Sequence, residues 1–323
     1  MTIEGRSCPL SYRIDPRQLG QGPAPVRESV YIIGGLYGNW TALTAIEALQ
    51  QQEVAAGLVE PGLVFNGDFN WFNVDNSSFR LINETVLAHN AIQGNVEAEL
   101  CAPSAGAGCG CGYPEWVDGE TVTRSNAIMT RLQQASVDHG DMLGRLKQLP
   151  RQLALTVAGH RVQVLHGDPE SLSGWQLALE AMPEPGQLTD RLADWFGLAG
   201  ARIFACSHTC LPYMQDFDIN GVRHLVVNNG AAGMPNFRGD RRGVLTRLSS
   251  RPSPVPVLYG TRLGALYCDA IPIDWDEQWD DWFASHWPPG SPAWASYRER
   301  FIRGPEHRPE DAVRLTGALN CCL

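Results

Sequence analysis

Apolar residues along this chain gather in short runs that stop at glycine or a polar side chain, and the runs alternate with stretches of helical period. Runs at 29–33 and 63–67, and one closing at Asn95, read as strands buried on both faces, since few polar residues interrupt them. Between them, Gly34-Gly35-Leu36-Tyr37-Gly38-Asn39 is a glycine-rich turn, Thr41 is placed to cap a helix running to about Gln52, and a second helix covers about 79–89. This β-α-β-α-β series predicts a parallel sheet with right-handed crossovers. A glycine- and cysteine-rich stretch at 98–120 then interrupts the pattern. Beyond it the pattern predicts one long helix over 125–149 and two strands over 152–165 around the turn Ala158-Gly159-His160. Helices near 171–182 and 187–198 follow, with strands at 203–207, 222–228 and 243–248 forming a second sheet. The tail from Asp274 is rich in tryptophan and proline and predicts helices near 276–285, 292–302 and 309–318. Residues 1–27 are polar, with prolines and glycines, and read as an irregular lead-in.

What the strand-like runs end in is the first chemical signal. Leu63-Val64-Phe65-Asn66-Gly67 delivers Asp68, the run through Gly94 delivers Asn95, Val162–Leu165 delivers His166, and 203–207 delivers His208. Ligands of open α/β sheets sit outside the carboxyl ends of strands. A carboxylate, a carboxamide and two imidazoles placed there form a reasonable coordination set for one divalent or trivalent metal. The competing reading is a hydrogen-bonded polar cluster without an ion, which is costly because each buried group then needs its own partner.

Bulk composition narrows the function classes. The chain has 323 residues, 44% hydrophobic and 19% charged, which describes a globular protein with a sizeable core. A formal net charge of -10 argues against a general nucleic-acid or membrane-surface binder, although a bound cation can still attract a small anionic substrate. No apolar run approaches a membrane span, and the first residues lack the apolar centre of a signal peptide. Nine cysteines are too few for a disulfide scaffold in a chain this long, so a reducing cytoplasm is the expected location.

The ordered series Gly67-Asp68, Gly94-Asn95, His166-Gly167 and Ser207-His208-Thr209, followed by Asn229-Gly230, resembles the calcineurin-like metallophosphoesterases over roughly residues 30–250. The resemblance implies an α/β fold, a four-layer α/β/β/α sandwich with a two-metal phosphoesterase centre at the strand ends. It makes Asp68 the bridging carboxylate and Asn95, His166 and His208 the ligands of the second metal. The pattern along the chain places an irregular lead-in at 1–27, a metallophosphoesterase-like domain over 28–273 carrying the Cys/Gly-rich insertion 98–120, and a helical extension over 274–323 packed on the core. The extension's tryptophans from Trp275 to Trp294 cover the core or, alternatively, form a partner surface.

The departures cluster. The family's Asp-x-His pair is replaced by Gly35-Leu36-Tyr37, its closing His-x-His ends here in Cys210, and the histidine of Gly-Asn-His is Val96. Residues expected around the second metal survive, while those expected only around the first are replaced. One ion is therefore expected, iron, zinc or manganese, with a second position either absent or rebuilt from Tyr37 and Cys210. Tyr37 has three readings: a ligand, a substrate-positioning hydroxyl, or a ring filling the vacated volume. Cys210 is either a small apolar filler or a ligand. Glu97 is either a substitute acid/base for the missing histidine or a solvated loop carboxylate. Arg124, Arg238, Arg241 and Arg242 are candidates for a phosphate clamp. Cys101, Cys109 and Cys111 suit a glycine-rich loop with incidental thiols better than a structural zinc, and Cys321-Cys322 reads as a frayed terminus.

The expected function is metal-dependent hydrolysis of a small-molecule phosphoester by metal-activated water, with Asp68, Asn95 and Glu97 as catalytic candidates. Two alternatives stand beside it: redox or thiol-linked chemistry on the same scaffold, and a degenerate scaffold or regulatory protein. Neither substrate nor oligomeric state is predicted.

Overall fold

The computed structural model describes residues 4–316. Two mixed sheets form its centre. The first has six strands in the order Tyr259–Leu263, Leu266–Ile273, Gly243–Ser249, Ser29–Ile33, Gly62–Asn66 and Asn90–Ile92. The second has seven, in the order Val26–Arg27, Gln152–Val157, His160–Leu165, Ile203–Cys206, Val222–Asn228, Tyr213–Ile219 and Val313–Arg314.

Strand periodicity builds the layers. Side chains alternate across a strand, so Val30, Ile32, Val64 and Ile92 join the core shared with the second sheet. Tyr31, Ile33, Leu63, Phe65 and Ala91 face the other way, onto the helices Trp40–Ala55, Asn76–Val86 and Gly119–Ser136. Helix Asp190–Ala199 adds Leu192, Trp195 and Phe196 to the core containing the second sheet. The order of layers is helices, sheet, sheet, helix: the four-layer α/β/β/α sandwich expected from the sequence.

Strands Ser29–Ile33, Gly62–Asn66 and Asn90–Ile92 pair in parallel as predicted, and so do His160–Leu165 and Ile203–Cys206. Several expectations are corrected. Strand Gly243–Ser249 belongs to the first sheet, antiparallel to Ser29–Ile33, and not to the second. Strands Tyr213–Ile219, Tyr259–Leu263 and Leu266–Ile273 were not anticipated. The long helix breaks in two, Gly119–Ser136 and Gly140–Leu146, where residues 137–138 form a turn and His139, at φ -109° and ψ 41°, leaves helical geometry. The helix expected near 171–182 is a series of turns with a single 3-10 turn at Leu179–Ala181. There the Asp168 carboxylate accepts from the backbone N–H groups of Glu170, Ser171 and Gln176, offering the chain an alternative to helical bonding. Asn39, not Thr41, caps the first long helix, accepting from the N–H groups of Thr41 and Ala42. Helix Pro309–Ala312 gives way to the short strand Val313–Arg314, and Cys321-Cys322 lie outside the described residues.

The C-terminal segment from residue 274 lies against the first helical layer. Trp279 and Trp287 are fully buried, and the Trp287 indole donates to the Phe72 carbonyl at 3.0 Å. Helix Pro292–Arg303 packs on Gly119–Ser136. The lead-in is less irregular than expected: Tyr12 is buried and donates to the Glu99 carboxylate at 2.6 Å, and Val26–Arg27 pairs with Gln152–Val157.

Candidate metal centre

Asp68 and Asn95 follow strands of the first sheet, and His166 and His208 follow strands of the second, so the carboxyl ends of strands from both layers converge at this point. Gly67 makes the meeting possible: with φ +76° it turns the strand, and a Cβ there would stand 2.6 Å from the Gly94 backbone and from His166 Nδ1. Asn66 joins the sheets. Its carbonyl accepts from His166 Nδ1 at 2.8 Å and from Ser207 Oγ at 2.7 Å, and its amide donates to Asn229 Oδ1 at 2.8 Å.

The hydrogen bonds on the outer atoms fix what the inner atoms are. His166 donates from Nδ1 to the Asn66 carbonyl, so in the neutral ring Nε2 is a lone pair. His208 gives its Nε2 proton to the Cys111 carbonyl at 3.0 Å, which leaves Nδ1 as a lone pair. Asn95 gives its amide to the Cys109 carbonyl at 2.9 Å, so its Oδ1 turns inward. Asp68 Oδ1 accepts from the Val96 N–H at 3.1 Å, and Oδ2 turns inward. Around His166 Nε2 lie Asp68 Oδ2 at 3.2 Å, Asn95 Oδ1 at 3.1 Å and His208 Nδ1 at 3.2 Å. Four acceptor atoms thus face one another inside the protein, all but out of reach of solvent. Such a group needs a cation or an extra proton between its members. Asp68, His166 and His208 are the described His, Cys, Asp and Glu side chains that can share one ion, their donor atoms lying within 4.8 Å of one another.

Electrostatics agree with the geometry. Burial alone would lower the His166 pKa, but the charge and hydrogen bond of the Asp68 carboxylate outweigh it and raise it. The same pairing lowers Asp68 against its own burial. Burial, with His166 beside it, pushes His208 down to about 4, so that ring is neutral at neutral pH. One carboxylate, one amide oxygen and two imidazole nitrogens fit zinc, iron or manganese, and each ligand has the outer partner that orients metal-binding side chains.

Glu97 is fully buried and does not line the cavity beside the centre. Its carboxylate accepts from the N–H groups of Asp68 at 2.7 Å, Gly94 at 3.1 Å and Asn70 at 3.2 Å, holding the loop that carries Asp68. Burial, with the Asp68 charge beside it, raises the Glu97 carboxyl to about 7. The solvated-carboxylate alternative does not hold. Cys109 and Cys111 brace the centre through their carbonyls, which receive Asn95 and His208. Each of the seven described cysteines is unpaired.

At the altered position, the Tyr37 hydroxyl is hydrogen-bonded to the Cys210 thiol. A Cβ built on Gly35 would stand 2.2 Å from Tyr37 Cζ, so the phenol ring crosses the place where a side chain at position 35 would begin. Cys210 lies outside the group able to share an ion with Asp68, His166 and His208. Burial raises both groups, Tyr37 well above its usual value, so both are protonated at neutral pH. Tyr37, Asp68 and Cys210 have φ of 55°, 55° and 58°, a left-handed conformation uncommon outside glycine, and all three line one cavity of about 180 Å³.

Comparison with solved structures places this geometry in a known fold. A hypothetical protein of Pyrococcus horikoshii OT3 matches with TM-score 0.57 at 16% identity, covering 87% of this chain and 99% of its own. A metallophosphoesterase from Sphaerobacter thermophilus matches with TM-score 0.51 at 16% identity, covering 88% of this chain and 100% of its own. The fold is that of the calcineurin-like metallophosphoesterases. No protein-family model and no curated protein matches the chain. Within the metallophosphoesterase fold the strand-end residues Asp68, Asn95, His166 and His208 come together as the sequence predicts. No described helix is long and apolar enough to cross a membrane.

The four arginines considered for a clamp are engaged elsewhere. Arg124 bonds Glu120 and Ser296, Arg238 bonds Glu306, Arg241 bonds Asp280, and Arg242 bonds Asp240. The arginine that does line the cavity is Arg300, in the C-terminal helix. Nothing marks it in the sequence, because its position depends on how a distant segment packs. Asn66 likewise carries no mark in the sequence beyond its place in a strand.

Proposed function

We propose that this chain is a metal-dependent phosphoesterase that works with one ion, held by Asp68, Asn95, His166 and His208. The observation that carries this reading is the convergence of four lone-pair atoms whose outer atoms are all committed to the backbone. An ion held there by these four residues would supply a water of lowered pKa, from about 15.7 towards about 7, and a positive charge for a phosphoryl oxygen. The residues keep the ligands still: Asn66 orients His166, Cys111 orients His208, Cys109 orients Asn95, and Glu97 anchors the backbone of Asp68. Tyr37 and Cys210 close the neighbouring position as a neutral pair and do not serve as ligands. Thiol-linked or redox chemistry has no comparable support, since no described cysteine joins the candidate ion-binding group.

Elemental analysis of protein never exposed to chelator tests the reading, paired with hydrolysis of a phosphate ester before and after metal removal. About one ion per chain, with activity that disappears on chelation and returns on reloading, is the expected result. A metal-free preparation with the same activity as the loaded one would refute it, as would Asp68→Asn retaining both ion and turnover.

A further inference from the structure

The cavity that borders the proposed centre is not closed by the sandwich alone. Helix Pro292–Arg303, capped by Ser291 at its start, lays Tyr297 and Arg300 across it, facing Asp68, Asn95 and His208. Arg300 is held from behind: its Nε donates to the Pro235 carbonyl at 3.1 Å and its Nη2 to the Cys210 carbonyl at 3.1 Å. A guanidinium has five N–H groups, so most of its donors stay available. Among the described residues no carboxylate lies within salt-bridge distance of Arg300, unlike the four arginines above. A fixed cation without a counter-charge, sharing a small cavity with a candidate ion site, has the chemistry of an anion clamp.

The walls indicate what accompanies the anion. Trp175 is pinned by its indole N–H to the Cys111 carbonyl at 2.9 Å and meets His208 edge to face at 5.3 Å. Tyr113 is pinned by its hydroxyl to Ser125 at 2.9 Å and lies 5.8 Å from Trp175. Trp71 and Tyr297 line the same space. With the polar ends of Trp175 and Tyr113 tied to the protein, their rings are left to contact a ligand. A cavity of about 150 Å³ is enough for a benzene ring, and this one measures about 180 Å³.

Building on the function proposed above, we infer that Arg300 holds the anionic group of the substrate and that the substrate is an aryl phosphoester, its ring against Trp175 and Tyr113. The C-terminal segment is then part of the substrate site and not only a cover for the core.

The test uses the full-length, metal-loaded chain with inorganic phosphate as the anion probe, read by tryptophan fluorescence, and with matched aryl and alkyl phosphoesters as substrates. Arg300→Gln should weaken phosphate binding and raise KM for the aryl ester by about tenfold or more, as loss of charge-assisted hydrogen bonds implies, while ion content is unchanged. Arg300→Lys should recover part of both. Trp175→Ala should erase the preference for the aryl over the alkyl ester, and a preference kept in that folded variant would overturn the aryl assignment. Should Arg300→Gln fail to fold, protection of Arg300 from phenylglyoxal by inorganic phosphate in the wild type, read by mass spectrometry, decides the same question. Phosphate binding and KM unchanged in Arg300→Gln, in a protein that does hydrolyse esters, would overturn this inference and leave the proposed function standing. A wild type with no ion and no hydrolysis, whose phosphate binding still depends on Arg300, would do the reverse.

Discussion

The phenol of Tyr37 donates to, or accepts from, the thiol of Cys210, joining the glycine-rich turn after the first strand of the first sheet to the loop beyond His208. Both residues sit in left-handed backbone, and both are neutral at neutral pH. The pair occupies the side of the cavity where the sequence lacks the family's Asp-x-His residues.

Restoring those residues should restore an ion. Gly35→Asp combined with Tyr37→His is expected to raise metal content from about one to about two per chain. Gly35→Asp alone should destabilise, because its Cβ would stand 2.2 Å from the Tyr37 ring. Elemental analysis and thermal unfolding of both variants check this. An undisturbed single variant would mean that the ring does not fill the position.

A lone ion shapes the choice of ester. Unactivated monoesters demand accelerations up to ~10²¹-fold, for which two ions usually share the charge. Higher kcat/KM on diesters or esters with good leaving groups is therefore expected. Fast turnover of an unactivated alkyl monoester would contradict it.

Glu97 is expected to position and not to transfer protons. Glu97→Gln sets an amide against backbone N–H groups and should lower metal affinity by about 10–100-fold. The shape of the pH–rate profile of the reloaded variant should match the wild type. Loss of one limb of that profile would show that Glu97 is an acid or base after all.

Away from the centre, Arg247 and Glu53 form a fully buried ion pair at 2.7 Å, to which Tyr31 also donates at 2.6 Å. Glu53→Gln leaves the buried Arg247 guanidinium with Asp269, 3.3 Å away, as its remaining carboxylate and should cost up to about 3–5 kcal/mol in denaturant unfolding. A loss within experimental error would mean that Asp269 or solvent takes over.

Asp269 beside them adds a pH dependence of definite sign. Burial raises its carboxyl from 3.8 to about 6, with Arg247 pulling the other way. The folded state therefore holds this proton more tightly than the unfolded chain. The resulting stability is complete below the unfolded pKa and is lost as pH rises through the folded one. Between about pH 7 and about pH 4 the wild type should gain about 2–3 kcal/mol on Asp269→Asn. Parallel stability curves for the two proteins would rule this out.

The convergence of Asp68, Asn95, His166 and His208 was legible in the sequence because each follows its own strand, and strand ends are marked by local signals such as Gly67 and Gly94. The layer order followed from the same runs. Which sheet Gly243–Ser249 joins was not legible, since an apolar strand pattern does not name its neighbour. The segment near 171–182 misled for a different reason. Its helical spacing of leucine and alanine is overridden by the Asp168 carboxylate, which collects backbone N–H groups that a helix would use. Arg300 and the bracing carbonyls of Cys109 and Cys111 act through contacts distant in the chain, where periodicity carries no signal.

The backbone oxygen of Asn66 accepts a hydrogen bond from each of two side chains on the opposite sheet. Neither half of the sandwich therefore owns the centre, and sliding one sheet against the other by a single residue would scatter all four ligands. Under the proposed function, ion occupancy and alignment of the halves would be one equilibrium, and stripping the ion should loosen the seam between the sheets before it loosens anything else.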